Sequence, residues 1–136
     1  MIDFAAVEFH DATLEAVNWY DSRITLVFSH IDVYFATGVD RYEVWSCRAT
    51  LKLEEVKQLE IRGLIGSKDS ISDGDLWDPS GQVIDPARLK NEQRVDKMEL
   101  VFTNGAVISV RAARASFVDV SRTEQLENWI GPLRES

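Results

Sequence analysis

The stretch DKMELVFTNGAVISVR, residues 96–111, decides the fold class, because apolar and polar residues alternate on both sides of its central Asn-Gly pair. This pattern is typical of two antiparallel strands joined by a tight turn. A two-residue loop would pair Met98 with Arg111 and place an arginine among apolar groups. We therefore predict a three-residue loop at 103–105, with Gly105 in the left-handed conformation. One face of this hairpin would then carry Met98, Leu100, Phe102, Ala106, Ile108 and Val110.

The same alternation continues outward from the hairpin into the middle of the chain. Residues 42–53 place apolar side chains on one face and polar side chains on the other, which predicts a half-buried antiparallel strand. Residues 58–65 alternate more weakly and are a candidate partner for this strand. The charged run 54–60 would also tolerate a short helix, so both alternatives remain open.

The N-terminal part predicts a second hairpin, formed by residues 14–20 and 22–35. A change of parity at Ser29-His30 predicts a bulge or a bend in its second strand. In residues 66–94 the alternation of apolar and polar residues stops. This segment contains many Gly, Ser and Pro residues, which predicts a long loop. Its apolar residues indicate that part of the loop docks on the core, as a small hairpin turned at 79–81.

The C-terminal segment predicts a helix. Ser121 and Glu124 have the spacing of a capping box, and Gly131-Pro132 would end the helix. An amphipathic helix that follows antiparallel strands usually packs on one face or end of their sheet. The expected fold is mainly β, of the α+β class: a single domain, residues 1–136, with one strongly curved or barrel-like antiparallel sheet of about six to eight strands and this helix packed on it. The apolar stripe of the helix would be Leu126, Trp129, Ile130 and Leu133.

Composition narrows the class of partner. The 136 residues carry 15 Lys and Arg against 23 Asp and Glu, a net charge of −8, so the chain on average repels the phosphates of a nucleic acid. No run approaches the ~20 apolar residues of a membrane helix, and the N-terminus lacks the pattern of a secretory signal. Cys47 is the only cysteine, so no intrachain disulfide can form. Its neighbours on the same face of the alternating run are apolar, which indicates a buried thiol. We therefore expect a cytoplasmic protein that binds neither nucleic acid nor membrane.

The acidic part of the long loop is the candidate binding surface. Residues 66–85 carry five acids against one lysine, and a tryptophan flanked by acids on a loop is typical of a contact anchor. The alternative is that this tryptophan pins the loop to the core. Acids and tryptophan together favour a basic protein partner. The candidate partner-binding residues are Asp69, Asp73, Asp75, Trp77 and Asp78.

Two histidines beside carboxylates raise the question of a metal site. His10, Asp11 and His30 supply the donor types that Zn²⁺ or Mn²⁺ prefers, and they are the weak candidates for such a site. The alternative is that His10 and Asp11 form a polar turn and that His30 lies at the bend. The acidic loop does not fit a calcium-binding template, because Asp78 stands where glycine is required. No nucleotide-binding or nucleophile motif is present, so we predict no cofactor and assign no catalytic residue.

The segment Glu8-Phe9-His10-Asp11-Ala12-Thr13-Leu14 resembles the start of a loose group of small bacterial domains that begin with a His-Asp-small-x-Leu sequence. Several members of that group look like immunity proteins of polymorphic toxin systems, and the resemblance implies a similar role. The leading hypothesis is a non-enzymatic, cytoplasmic domain whose acidic surface binds a basic protein. The alternative is a small-ligand or metal-binding β-barrel protein, or an enzyme, that uses His10, Asp11 and His30. A homo-oligomeric structural module is the third hypothesis.

Overall fold

The computed structural model describes residues 4–66 and 69–133, which form two antiparallel sheets. One sheet has the strand order β1-β2-β3-β9-β6 and the other has the order β4-β8-β7-β5. The elements are β1 (Ala6–Tyr20), β2 (Arg23–Gly38), β3 (Arg41–Glu54), β4 (Gln58–Arg62), β5 (Ile71–Trp77), a 3-10 helix (Pro86–Lys90), β6 (Gln93–Arg94), β7 (Lys97–Phe102), β8 (Val107–Arg111) and β9 (Arg114–Ile130).

The hairpin predicted from residues 96–111 is confirmed. The Phe102 N–H donates to the Ala106 carbonyl at 2.9 Å, which leaves three residues in the loop, and Gly105 has φ +89°. The next pair whose side chains face the core is Leu100 opposite Ile108. The six side chains assigned to the inner face are all buried. Apolar alternation and an Asn-Gly turn were sufficient to specify this element because both act over a few residues.

The three long strands β1, β2 and β3 form successive hairpins and bend where bulges interrupt their ladders. On β2, Phe28 pairs with Ala49 and the next pair is Ile31 with Cys47, so the bulge predicted at Ser29-His30 is confirmed. On β1 the interruption is larger: residues 9–12 lie between two consecutive pairs whose β2 partners are only two residues apart. Bulges of this kind bend a strand and redirect its side chains.

The fold class predicted from the sequence is wrong in two respects. The described residues are 70% strand in two sheets, with no closed barrel and no α-helix, so the C-terminal helix is absent. Residues 114–130 instead form β9, which pairs with β3 in a ladder of fourteen residue pairs. A capping box contributes only about 1 kcal/mol, whereas this ladder satisfies backbone groups along the whole strand. The stripe assigned to the helix is not covered, since Leu126 is 45% and Ile130 is 76% exposed.

Two further predictions need correction. The segment 58–62 pairs with β8 in the second sheet, and not with the strand at 42–53. The segment 66–94 is partly regular, because residues 71–77 form β5 and pair with β7. The hairpin turned at 79–81 is confirmed by the Asp78 N–H, which donates to the Gln82 carbonyl at 2.8 Å. Residues 67 and 68 lie outside the described residues.

The core lies between the two sheets, which approach most closely where β1 meets β5. Phe9 of β1 packs against Phe28 and Phe117, with ring centroids 5.9 Å and 6.5 Å away. Gly74 of β5 lies directly beneath Phe9, because a Cβ added at Gly74 would be 2.9 Å from the Cβ of Phe9 and 2.8 Å from Leu100. A glycine is therefore needed at this position for the two sheets to pack.

Candidate functional site

The five acidic-segment candidates divide into two groups in the structure. Asp69 and Asp78 stabilise turns: an Asp69 carboxylate oxygen accepts from the Gly66 N–H at 2.8 Å and from Asn104 at 3.0 Å. Asp78 Oδ1 accepts from the backbone and the hydroxyl of Ser80. These hydrogen bonds, with the Ser80 hydroxyl as the largest cause, hold the pKa of Asp78 below its ordinary value. Asp69 and Asp78 therefore have structural roles.

Asp73, Asp75 and Trp77 share the outward side of β5. They are part of a surface, here called the four-stranded face, on which both signs of charge alternate. The Lys97 ammonium lies 5.5 Å from the Trp77 ring centroid and 3.5 Å from Glu99. Burial raises the pKa of Asp75, and Asp73 and Glu99 raise it further. The four-stranded face comprises Gln58, Glu60, Arg62, Asp73, Asp75, Trp77, Lys97, Glu99, Val101, Val107, Ser109 and Arg111.

The cations of the four-stranded face each have a carboxylate neighbour. Arg111 lies 3.3 Å from Asp96, and Arg62 lies 3.2 Å from Glu60. A surface on which opposite charges already neutralise each other has a weak net field. The acids of residues 69–78 are close in sequence, but they do not form a concentrated negative patch in the structure.

A second acidic surface lies on the outward side of the five-stranded sheet. It is a cavity of about 330 Å³, here called the carboxylate pocket, and its walls come from β1, β2, β3 and β9. Four of its lining residues are carboxylates, and none is lysine or arginine. Among the described residues, no lysine or arginine lies within 4 Å of these four carboxylates. The lining residues are Glu8, His10, Asp11, Asp32, Tyr34, Val44, Leu126 and Glu127.

Strand register brings these residues together. Glu8 lies directly opposite Asp32 on the neighbouring strand, while Tyr34 lies opposite Val44, and Val44 lies opposite Glu127. Residues that pair directly point to the same face of a sheet, so one face collects side chains from three distant parts of the chain. The Tyr34 hydroxyl also donates to Glu8 at 3.3 Å.

The bulge in β1 supplies two further residues of the pocket, His10 and Asp11. Asp11 has φ +68°, a left-handed conformation that aspartate tolerates better than most residues. His10 Nδ1 donates to the Ser72 carbonyl at 2.9 Å, which ties the bulge to β5. His10 Nε2 lies 3.5 Å from Asp11. The hydrogen bond to Ser72, and then the charge of Asp11, raise the pKa of His10.

Asp32 is a half-buried carboxylate of the pocket. Burial raises its pKa, and the negative charges of Glu8, Asp11 and Glu127 add to this effect, while His30 opposes it. His30 Nε2 lies 3.1 Å from Asp32, and its Nδ1 lies 2.5 Å from the Ser46 hydroxyl. Both ring nitrogens of His30 are therefore engaged behind the pocket wall.

The order Ser46, His30, Asp32 matches the residue types of a nucleophilic triad. However, Ser46 is only 7% exposed and does not line the pocket, so a substrate carbonyl cannot approach its hydroxyl. Asp32 Oδ1, the oxygen nearest His30, is buried and receives no hydrogen bond from the described residues. Cys47 is also inaccessible, since it is fully buried and burial raises its pKa to about 11.

The metal hypothesis is not supported by a complete ligand set. The structure places His10 and Asp11 together on the pocket wall, but His30 does not line the pocket. Within residues 4–66 and 69–133, no group of three His, Cys, Asp or Glu side chains is arranged to hold a metal ion.

A larger depression of about 500 Å³ lies beside the C-terminal half of β1. The described residues that line it are mostly small or apolar, and the charged one among them, Glu15, is 2.6 Å from Arg48. It offers little chemistry compared with the carboxylate pocket.

Sequence reasoning missed Glu8, Asp32, Tyr34 and Glu127 as site residues. A signal was present, because the first forty residues contain seven acids against one arginine. The parity change at Ser29-His30 also indicated that the face of β2 is reorganised near Asp32. Glu127 could not be found in this way, because it was assigned to a helix.

Comparisons of the chain with protein-family models, with curated proteins and with solved structures find no match. Across the part of the chain that the structure describes, there is no helix with the length and apolar character needed to cross a membrane.

Proposed function

We propose that the protein is a non-enzymatic binding module that accepts a cationic side chain of a basic partner protein in the carboxylate pocket. The observation that carries this proposal is the pocket lining, in which the described residues include four carboxylates and no lysine or arginine. A cluster of carboxylates whose only basic neighbours among the described residues are histidines attracts a cation over long distances and disfavours anionic partners.

The chemistry of the wall favours a guanidinium or ammonium group on a long stem. Carboxylates form short, charge-assisted hydrogen bonds with such groups. Leu126, which lines the pocket and is 45% exposed, provides an apolar surface against which the methylene stem can pack. A bound cation would also offset the mutual repulsion that contributes to the raised pKa of Asp32.

The compartment we propose is the cytoplasm, where a single unpaired cysteine such as Cys47 is ordinary. We also propose the biological role that the resemblance of residues 8–14 implies, namely that of an immunity-type protein that binds and masks a basic toxin. Three residues of that segment, Glu8, His10 and Asp11, line the pocket.

The test uses arginine capped at both ends as the probe, followed by NMR titration of the whole chain. We expect binding with a Kd on the order of 1 mM and shifts centred on the pocket residues. Capped citrulline has the same shape without the charge and is expected to bind at least about tenfold more weakly.

Two matched variants localise the site. Asp32→Asn and Asp75→Asn each remove one charge from a half-buried strand carboxylate whose pKa is raised by burial. We expect Asp32→Asn to weaken capped arginine about tenfold and Asp75→Asn to leave its Kd unchanged. Equal binding of arginine and citrulline, or equal losses in the two variants, would contradict the proposal.

A further inference from the structure

Among the described strands, the outer edge of β9 is the longest stretch that has no neighbouring strand on one side. β9 pairs with β3 from Arg114 to Ile130. On its other side it pairs with β6, and only at Arg114 and Ala115. For residues 118–130, here called the β9 edge, the described part of the chain provides no second ladder. Unpaired backbone N–H and C=O groups on such an edge are a template for an additional strand.

The β9 edge has a marked division of charge between its two faces. Asp119, Glu124 and Glu127 pair with Thr50, Ser46 and Val44, which places all three acids on the pocket side of the sheet. The only basic residue of the segment, Arg122, pairs with Cys47 and points to the opposite side. There its guanidinium lies 3.9 Å from the Phe35 ring centroid and 5.3 Å from that of Trp45.

Bulges maintain this division. The β3–β9 register shifts at three places, so Val118, Thr123 and Leu126 are extra residues on β9. Without the shifts at Thr123 and Leu126, Glu124 would point to the face opposite Asp119 and Glu127, because side chains alternate with a period of two. The irregularity of the edge therefore places three acids on the border beside the carboxylate pocket, with Ser121, which pairs with Arg48, between Asp119 and Glu124.

We propose that the β9 edge accepts an extended basic segment of the partner as an additional strand of the five-stranded sheet. This inference rests on the proposed function, since it names the partner segment that brings a cation to the pocket. A second copy of this chain is disfavoured as the occupant, because its own acids would face Asp119, Glu124 and Glu127. A basic segment matches the charge of this border.

The distances fit this arrangement. An added strand would lie about 4.8 Å from β9, with alternate side chains on the pocket side. An arginine side chain on that strand reaches roughly 6–7 Å from its Cα, on the order of 1.5 strand spacings. It can therefore contact Glu127, which lines the pocket and also belongs to the edge. Main-chain hydrogen bonds would supply affinity, and the arginine positions would supply specificity.

The test compares two ten-residue peptides of alternating arginine and threonine, titrated into the whole chain. One peptide is unmodified, and the other is N-methylated at its two central residues, which blocks both hydrogen-bonding edges without changing the charge. We expect the unmodified peptide to bind at least about tenfold more tightly and to slow amide exchange in residues 118–130. Equal affinities, no binding of either peptide, or unchanged exchange in β9 would overturn the inference.

A pair of variants gives an independent readout. Glu124→Gln removes an edge acid that does not line the pocket, and Glu60→Gln makes the same change on the four-stranded face. We expect Glu124→Gln to weaken the unmodified peptide about threefold to tenfold, and Glu60→Gln to change its Kd by less than about twofold. Equal effects of the two variants would overturn the inference.

The two proposals fail in distinguishable ways. If capped arginine binds but N-methylation of the peptide has no effect, the result supports cation binding in the pocket and contradicts strand addition at the β9 edge. If the peptides differ in affinity but capped arginine does not bind, the result supports strand addition at the β9 edge and contradicts cation binding in the pocket.

Discussion

The carboxylate pocket and the four-stranded face are both rich in acids and contain carboxylates whose pKa is raised by burial, yet they differ in how charge is distributed. On the four-stranded face, Lys97, Arg111 and Arg62 each lie within 3.5 Å of a carboxylate. Among the pocket-lining residues of 4–66 and 69–133, none is lysine or arginine. Local balance of charge, and not the number of acids, therefore distinguishes a candidate binding surface from an ordinary solvated one.

The two surfaces also differ in origin. Asp73, Asp75 and Trp77 are neighbours in sequence and remain neighbours on β5. Glu8, Asp32 and Glu127 are separated by up to about 120 residues and meet only through the register of four strands. A cluster of charges in the sequence is thus a poor guide to a cluster in space when strands are long.

The largest effect is expected at Gly74, where the sheets that carry the two surfaces pack together. Gly74→Ala should lower the free energy of unfolding by about 1–3 kcal/mol, because the new methyl group would overlap Phe9 and Leu100. Chemical denaturation measures this loss. Gly105→Ala is the comparison: the φ of Gly105 is +89°, which favours glycine, but a Cβ there would meet nothing within 4 Å, so we expect about 1 kcal/mol. A larger loss at Gly105 than at Gly74 would show that close packing of the sheets is not limiting.

A smaller loss is expected from Asp78→Ala, which removes the acceptor of the turn that follows β5. The lowered pKa of Asp78 means that its carboxylate stabilises the fold above its ordinary value of 3.8, and that this contribution is lost as the pH falls through the lowered pKa. The difference in melting temperature between wild type and variant should therefore shrink in acid. Asp78→Asn, which keeps an acceptor oxygen, should lose less. Weaker peptide binding by a folded Asp78→Asn would instead make Asp78 a contact residue.

Asp32→Asn is expected to raise stability while it weakens binding. Because the pKa of Asp32 is raised in the folded state, its ionisation costs stability as the pH rises above its ordinary value of 3.8. The variant should have the higher melting temperature at pH 7, and the gain should disappear below that value, where wild-type Asp32 is protonated in both states. Asp75→Asn should show the same pH dependence without a change in binding. A lower melting temperature for Asp32→Asn at pH 7 would indicate that His30 outweighs burial.

The smallest effect is expected from Lys97→Met on the four-stranded face. The variant loses the contact with Glu99 and the cation over Trp77 but keeps an apolar stem on the ring. Exposed pairs of this kind contribute below about 1 kcal/mol each, and the ion pair is screened by salt. Denaturation at low and high salt should show a loss that decreases as salt rises. A loss above about 2 kcal/mol, independent of salt, would mean that this face is more than a solvated surface.

Most of the local structure was predictable from the sequence. The hairpin around Gly105, the strand at 42–53 and the bulge at Ser29-His30 were all inferred correctly, because turn chemistry and alternation operate over a few residues. The C-terminal helix was not, because its capping box and apolar spacing are local signals too weak to compete with a partner strand some 75 residues away in sequence. The same error removed Glu127 from consideration.

The sequence by itself determined that this is a mainly antiparallel β protein with an acidic surface, since alternation and net charge are properties of the chain. Only the tertiary structure decided which acids act together. Glu8, Asp32 and Glu127 share one face because bulges in β1, β2 and β9 set the parity of each strand against its neighbour. A shift of one residue reverses the face of every side chain that follows, so the composition of the pocket depends on pairings that no short stretch of sequence contains.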